Sequence, residues 1–480
     1  MLSLGLSYSD KLQAFVHFSE GRVRNGKNNP ILLNGVNLGG WLLWEGWIWG
    51  GGFTSETKMK SRFVELLGEQ PAVDFFDKVR KNFVTHNDIK AIAALGWNTV
   101  RVPFNHTLIE RDENPGVFIE EGFRVLDSLL AWCRKEKVYV VLDLHAAPGG
   151  QAKLFTSDPD KELVFENKNL RDRTVAIWAK IAEKYQSDTV IAGFDLLNEP
   201  NPSHPNLLPS FYLEIIKAIR LHDKNHMIIL EGAKMGTDFS IFEGALDNNQ
   251  IFSFHFYSWF VKDIKKKLDA YRKFAVKTGI PMWCGEWGEN DLKELCKTKL
   301  ILEDPGNIFC GNAFWTWKKV EKNKKYPTLN HMEAGRDWEK IINWISGIGG
   351  RPNPSEVSSG LEKFYQSWEN QNLIFDPALG YLLNPEKGNI WASYFTSGLH
   401  PVTLDFKPDL ETLSYKMPVP VSGTSPEIRY LRLGETEWKS LGFREPETVI
   451  TFIPPRKGTY FFRFFIGSYL AGEATLKVEK

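Results

Sequence analysis

"VIAGFDLLNEPN", Val190 to Asn201, is the stretch on which the fold turns. An apolar run of strand length begins at Val190, and the stretch ends on an amide, a carboxylate and a proline. A continuous run of this kind belongs to a parallel sheet covered on both faces, because a strand with one wet face would alternate. Asn198 and Glu199 then stand at the mouth of the strand, reaching out of the core.

Seven other runs share this texture: "ILLNGVN", "NTVRVPF", "VYVVLDLH", "HMIILEG", "IFSFHFY", "IPMWCGEW" and "NAFWTWK". Consecutive runs are separated by segments long enough for a helix. One of these, "THNDIKAIAALG", carries explicit helix signals: Thr85 as N-cap, Asp88 at the third position, Ile89, Ile92 and Ala93 on one face, and Gly96 as terminator. Eight alternating units between Ile31 and Trp317 favour a closed (β/α)8 barrel, an α/β fold, over an open doubly wound sheet. No glycine-rich dinucleotide or phosphate loop follows any strand, which counts against nucleotide chemistry. "GRDWEKIINWISGI" reads as the closing helix, "RPNPS" as a break, and "SGLEKFYQSWENQN" as one more helix. From Asn372 onward the texture changes to turn-rich sequence and short alternating segments such as "IRYLRLG", "TVITFIPP" and "TYFFRFFIGSY". That is the pattern of an antiparallel β-sandwich. The expected division is a (β/α)8 barrel domain over residues 1–371 and a smaller accessory β-sandwich over 372–480.

In 480 residues, 42% apolar and 25% charged, Lys+Arg and Asp+Glu both number 59. No net field therefore steers a nucleic acid or an acidic membrane. Seventeen tryptophans are unusual; flat aromatic faces stack on the C–H faces of sugars, although a large core also uses them. Cys133, Cys284, Cys296 and Cys310 lack paired spacing, which argues against zinc and for buried free thiols. "MLSLGLSYSDK" lacks the basic start and apolar core of a signal peptide, so the expectation is that either the protein is intracellular or an export signal has been removed. No run reaches membrane-spanning length.

Barrel chemistry sits at the C-terminal ends of the strands. In strand order those ends carry Asn37, Arg101, Asp143 with His145, Asn198 with Glu199, Glu231, His255 with Tyr257, Glu286, and Trp315 with Trp317. Packing alone does not require polar groups at one end of nearly every strand. Glu199 and Glu286 face each other across a mouth the width of a sugar ring. Two carboxyl groups flanking a glycosidic bond are what acetal hydrolysis needs, about 5–5.5 Å apart for a retaining enzyme. Asn198 suits the sugar 2-hydroxyl. Arg101 and Tyr257 can donate to Glu286 and keep it ionised as nucleophile, while Glu199 starts as the acid and then serves as base. No metal and no cofactor is expected. Glu231 and Asp143 read as structural supports, Glu289 as a solvent-facing acid, and Tyr460 to Phe465 as sandwich core. Trp41, Trp44, Trp47 and Trp49 divide between cleft lining and packing.

Together "FDLLNEP", "CGEWG", "NTVRVPF", "DLHAAPGGQ", "FHFY" and "FWTWKK" resemble glycoside hydrolase family 5, of the clan A retaining hydrolases, over residues 30–347. The resemblance implies Glu199 as acid/base and Glu286 as nucleophile. It places Arg101, His145, Asn198, His255 and Tyr257 around the reacting sugar, and Trp315 as the floor of its subsite; Trp317 is a further substrate-binding candidate. "LNGVNLGGWLLWEGW" is similar to the opening of the exo-β-1,3-glucanase branch, which implies a contact between Glu45 and the outermost glucose. "GGQAKLFTSDPDKELVFENKN" departs from that branch, and the appended sandwich resembles that of endoglycoceramidase-like members. The expected function is retaining hydrolysis of a β-glucan or β-glucoside, with carbohydrate as the partner, a monomeric state, no nucleic acid and no indicated membrane or glycolipid contact. The alternatives are a family 5 hydrolase of β-mannan or a glycosphingolipid, and a non-catalytic glycan-binding barrel. The last would be expected to lack one carboxylate, and both are present.

Overall fold

The computed structural model describes residues 15–376 apart from 262, 291, 304–308 and 322–325, and, beyond 376, chiefly the strands of the C-terminal segment. A hairpin of β1 (His17–Ser19) and β2 (Arg22–Arg24) comes first. Each of the eight apolar runs then supplies one barrel strand: β3 (Gly35–Asn37), β4 (Thr99–Asn105), β5 (Tyr139–Ala146), β6 (Ile191–Asp195), β7 (Met227–Glu231), β8 (Gln250–Phe256), β9 (Met282–Trp287) and β10 (Phe309–Phe314). They close in chain order, β10 pairing with β3, and the neighbours are parallel all the way round. This is a (β/α)8 barrel. At Gly35 a Cβ would lie 1.7 Å from the Thr99 carbonyl oxygen, so only glycine lets β3 approach β4.

The barrel interior is filled by Val141, Ala192, Ile229, Ile251, Trp283 and Ala313, in one buried cluster with Val16 and Val23 of the hairpin. The hairpin thus closes the N-terminal end of the barrel, leaving the opposite end for chemistry. Its Phe18 N–H donates to Asn249 at 2.8 Å. Nothing in the apolar pattern marks this plug.

Three helices separate β3 from β4: Glu56–Leu67, Glu69–Asn82 and His86–Ala94. The third begins as its sequence reads, with Asp88 Oδ2 accepting the Thr85 N–H at 2.7 Å. The helices Glu120–Glu136, Lys168–Tyr185, Leu207–His222, Ile264–Thr278 and Leu292–Leu302 cover the later strands. One expected helix is absent. Between β7 and β8 the chain makes only the turn Ala233–Gly236, with Lys234 and Met235 left-handed at φ 53° and 61°. "AKMGTDFSIFEGALDNN" puts Gly, Asp and Asn where a helix interior would be. Phe239 and Phe242 instead cover the sheet, 5.7 and 5.0 Å from the ring of Phe252.

The closing helices Gly335–Ile345 and Pro354–Ser367 meet through Trp338 and Phe364, stacked at 3.6 Å. Trp41, Trp44 and Trp49 join this aromatic core, their indole N–H groups on the carbonyls of Arg80, Trp41 and Gly40. For these three, packing is the answer. Then β11 (Lys318–Val320), β12 (Asn330–Met332) and β13 (Ile374–Phe375) form a small sheet.

Past it lie β14 (His400–Pro401), β15 (Thr403–Lys407), β16 (Thr412–Lys416), β17 (Glu427–Arg432), β18 (Lys439–Phe443), β19 (Val449–Thr451), β20 (Gly458–Ile466) and β21 (Tyr469–Val478). They make one five-stranded and one three-stranded sheet, antiparallel except for the β14–β21 edge. Leu431 and Phe461 belong to the same buried cluster as the barrel, and Arg463 donates to the Phe375 carbonyl at 2.7 Å. Tyr460, Phe461 and Phe462 are buried, while the side chains of Phe464 and Phe465 lie outside the described residues. Cys133, Cys284 and Cys310 are buried free thiols; the Cys296 side chain is not among those described. Among the described residues, no helix is long and apolar enough to cross a membrane.

Candidate active site

Arg101 organises the C-terminal mouth. It is fully buried, with Nε on Asp195 at 2.9 Å and Nη1 3.1 Å from Asn37 and 3.4 Å from Glu286. Its Nη2 has Asn198 at 2.9 Å, Glu231 at 3.0 Å and Asp143 at 3.1 Å. One NH2 has two hydrogens, so these three acceptors cannot all be fully served. Burial works against the guanidinium charge, but Asp143, Asp195, Glu231 and Glu286 outweigh it and hold Arg101 more firmly protonated than usual.

Glu286, ending β9, accepts from the Tyr257 hydroxyl at 2.5 Å on one oxygen and faces Arg101 with the other. Glu199 lies just past β6 in a left-handed backbone, φ 46°. His255 connects the two, its Nδ1 2.9 Å from Glu199 and 3.9 Å from Glu286. One atom each of Glu199, His255 and Glu286 lie within 4.8 Å of one another. That spacing could bridge a cation, but both Glu286 oxygens already face donors.

Burial raises the Glu286 carboxyl; His255 opposes this, the Glu199 charge adds to it, and Arg101 opposes it again. Burial disfavours charge on His255 and His145, yet Glu231 with Glu286 in one case and Asp143 in the other raise both imidazoles. His145 Nδ1 meets Asp143 at 2.6 Å, and its ring stacks on Trp315 at 5.6 Å and 17°. The structure therefore brings Arg101, His145, Asn198, Glu199, His255, Tyr257, Glu286 and Trp315 together.

Glu45 joins them from the long loop after β3. It is buried, accepts from Trp47 Nε1 at 2.7 Å on one oxygen, and leaves the other without a hydrogen-bond partner. Burial pushes its carboxyl up to about 7, against the pull of His145 and Trp47. Trp47 is accordingly the one of the four loop tryptophans bound to this site. Trp317 does not join it. Its indole is buried and donates to Asp88 at 2.8 Å, on the helix layer.

Glu289 is not solvent-facing as expected. It is buried, accepting from Ser258 Oγ at 2.6 Å and from Thr298, and so fixes the loop that follows Tyr257. Its neighbours decide this, and they are remote in sequence. Two further residues went unread. Asp195 pairs with Arg101; its signal was a carboxylate inside an apolar run, in register with Asp143 of β5. Gln151 ties the ends of β5 and β6, donating to the carbonyls of His145 and Asn198, both at 2.7 Å.

The family profile for cellulase (glycosyl hydrolase family 5) matches residues 69–320, over half of the chain. The chain belongs to glycosyl hydrolase family 5. A β-xylosidase of Phanerodontia chrysosporium is 32% identical over 294 residues, covering 57% of this family 5 chain and 62% of that protein. Endoglucanase C of Acetivibrio thermocellus is 32% identical over 228 residues, 47% of this chain and 57% of that protein. A probable glucan 1,3-beta-glucosidase A of Aspergillus clavatus is 26% identical over 275 residues, 53% and 65% respectively. The chain thus spans less than two thirds of the length of each of these curated relatives.

Proposed function

We propose that this family 5 protein is a retaining β-glycosidase acting on a β-glucan or β-glucoside by double displacement, with Glu286 as nucleophile and Glu199 as acid/base. The observation that carries the reading is a separation. An oxygen of Glu199 and an oxygen of Glu286 lie within 4.8 Å, which fits the about 5–5.5 Å of retaining enzymes and leaves no room for the water that inverting enzymes hold between carboxyls about 6.5–9.5 Å apart. Glu286 is the better nucleophile because Tyr257 and Arg101 both present donors to it, which favours its ionised form. Glu199 is the more exposed of the two, with His255 beside it to share a proton. In the first step Glu286 attacks the anomeric carbon as Glu199 protonates the leaving oxygen; in the second Glu199 takes a proton from water as the ester is cleaved. The Asn198 carbonyl is taken by Arg101, so its NH2 remains to hold the sugar 2-hydroxyl. Trp315 offers the floor, and Glu45 the contact at the closed end.

The names of the relatives, endoglucanase, glucan 1,3-beta-glucosidase and β-xylosidase, support a β-linked substrate. The test pairs variants with products. Glu199→Gln should lose cleavage of poor leaving groups while sparing the first step on activated aryl glycosides. Glu286→Ala should lose nearly all turnover, with recovery on adding a small anion. Full activity of either variant on natural substrate would end the assignment. A time course on laminarin, barley β-glucan, carboxymethyl cellulose, mannan and a glucosylceramide then identifies the substrate: monosaccharide alone supports a pocket closed at Glu45, and mixed oligomers an open cleft.

A further inference from the structure

We propose that Glu231 is a positioning residue for the acid/base step, fixing the backbone of Glu199 and the ring of His255 as one unit; this rests on the role given to Glu199 above. Glu199 adopts φ 46°, a conformation that costs a non-glycine residue free energy and persists only when its surroundings enforce it. The enforcing contact is a hydrogen bond from its backbone N–H to Glu231 Oε2 at 2.8 Å. The other oxygen of Glu231 accepts from Arg101 Nη2 at 3.0 Å and lies 3.1 Å from His255 Nε2, an ion-pair contact outside hydrogen-bond geometry. His255 Nδ1 then returns to the Glu199 carboxylate at 2.9 Å. Three of these contacts form a closed circuit: Glu199 backbone, Glu231, His255, Glu199 side chain.

The circuit has a chemical consequence. A buried carboxylate beside Nε2 keeps a hydrogen on that nitrogen. That leaves Nδ1 to share a single proton with Glu199, giving it up when Glu199 must be the acid and receiving it when Glu199 must be the base. Glu231 itself is wholly buried, out of reach of a sugar in the mouth; it acts through its neighbours.

The missing helix after β7 fits the same purpose. The left-handed turn that replaces it lies against the back of the circuit. The Met235 N–H donates to the Pro200 carbonyl at 3.2 Å. Gly236 has φ 69°, and a Cβ there would sit 2.8 Å from Glu231 Oε2. Tyr212 donates to the Glu231 carbonyl at 3.1 Å and holds the strand end from the other side. A helix of ordinary residues would have pushed the carboxylate off the Glu199 N–H.

A merely structural partner of Arg101 would, when altered, slow all substrates alike. A positioning residue for the proton would not. The test measures kcat/KM, which reports the first step, for a series of aryl β-glycosides running from dinitrophenyl to phenyl, in the full chain and in Glu231→Gln. The variant should lose about 10–100-fold on the phenyl glycoside and stay within about threefold of the parent on the dinitrophenyl glycoside, and Glu231→Asp should recover part of the loss. Gly236→Ala, which crowds the same oxygen without altering any titrating group, should show the same split and decides the matter if Glu231→Gln does not fold. Equal losses across the series, or none, would overturn the proposal. Glu199→Gln run in parallel separates the two levels: if it shows no dependence on the leaving group, the assignment of Glu199 fails, whereas a normal Glu199→Gln response with a flat Glu231→Gln response removes only the role of Glu231.

Discussion

Tyr257 donates its phenolic hydrogen to Glu286 at 2.5 Å, the shortest contact that either proposed catalytic carboxylate makes with a side-chain donor. Burial and the facing charge of Glu286 both raise the phenol, so it stays a donor through the working pH range. Tyr257→Phe removes that donor and little else. A hydrogen bond to a charged group is worth about 1.5–3 kcal/mol, and one pKa unit corresponds to about 1.4 kcal/mol. The acid limb of the kcat/KM–pH profile on an aryl β-glucoside should therefore move up by about one to two units. A limb at its original pH would mean that His255 and Arg101 keep Glu286 ionised without the phenol.

Glu45 yields a prediction about stability against pH. Its carboxyl is raised from 4.5 to about 7, chiefly by burial. For an acid raised in the folded state, that state binds more protons than the unfolded chain between the two values, so stability falls as pH rises from 4.5 to 7 and the deficit is complete above that. Glu45→Gln removes this dependence. The stability of the variant relative to the parent should improve by about 2 kcal/mol between pH 5 and pH 8, read from denaturant unfolding at the two values. A pH-independent difference would show that the carboxyl ionises normally.

How much of this was legible in the sequence follows from the range of the forces involved. The eight strands and the helix starting at Thr85 are set by local apolar runs and caps, so they could be read directly. The site residues at strand ends were legible because a barrel converts strand position into a common mouth, as with Glu199 and Glu286. The missing helix after β7 shows where that logic fails: a segment long enough for a helix suggested one, while glycine and aspartate within it opposed it. Side-chain direction was not legible at all. Trp47 and Trp49 are two residues apart in one loop, yet one binds Glu45 and the other packs its ring on Trp338 and Phe364 of the closing helices, its N–H on the Gly40 carbonyl. Glu289 and Trp317 turn inward because of Ser258, Thr298 and Asp88, partners between 9 and 229 residues distant.

The placement of Trp317 leads to Asp88. This wholly buried carboxylate caps its helix with one oxygen, and with the other it accepts from Trp317 at 2.8 Å and from Lys318 at 2.9 Å. Lys318 is equally buried, its ammonium 5.1 Å from the Phe83 ring. Burial lowers its pKa and the Asp88 charge resists that lowering. Removing one member of a buried pair strands the other, at a cost of about 3–5 kcal/mol, whereas replacing both by groups of similar volume is often neutral. Asp88→Asn should therefore destabilise by about that amount at pH 7. The deficit should shrink as pH rises toward the ordinary lysine pKa, because the unfolded chain then loses its advantage in keeping the proton. Adding Lys318→Met should recover most of the loss without touching the mouth of the barrel. Denaturant midpoints of the three variants at pH 7 and 9 check each part. If Asp88→Asn unfolds like the parent at both values, the Trp368 carbonyl, 3.3 Å from the ammonium, suffices as acceptor and the pair does not hold the start of β11 to the helix layer.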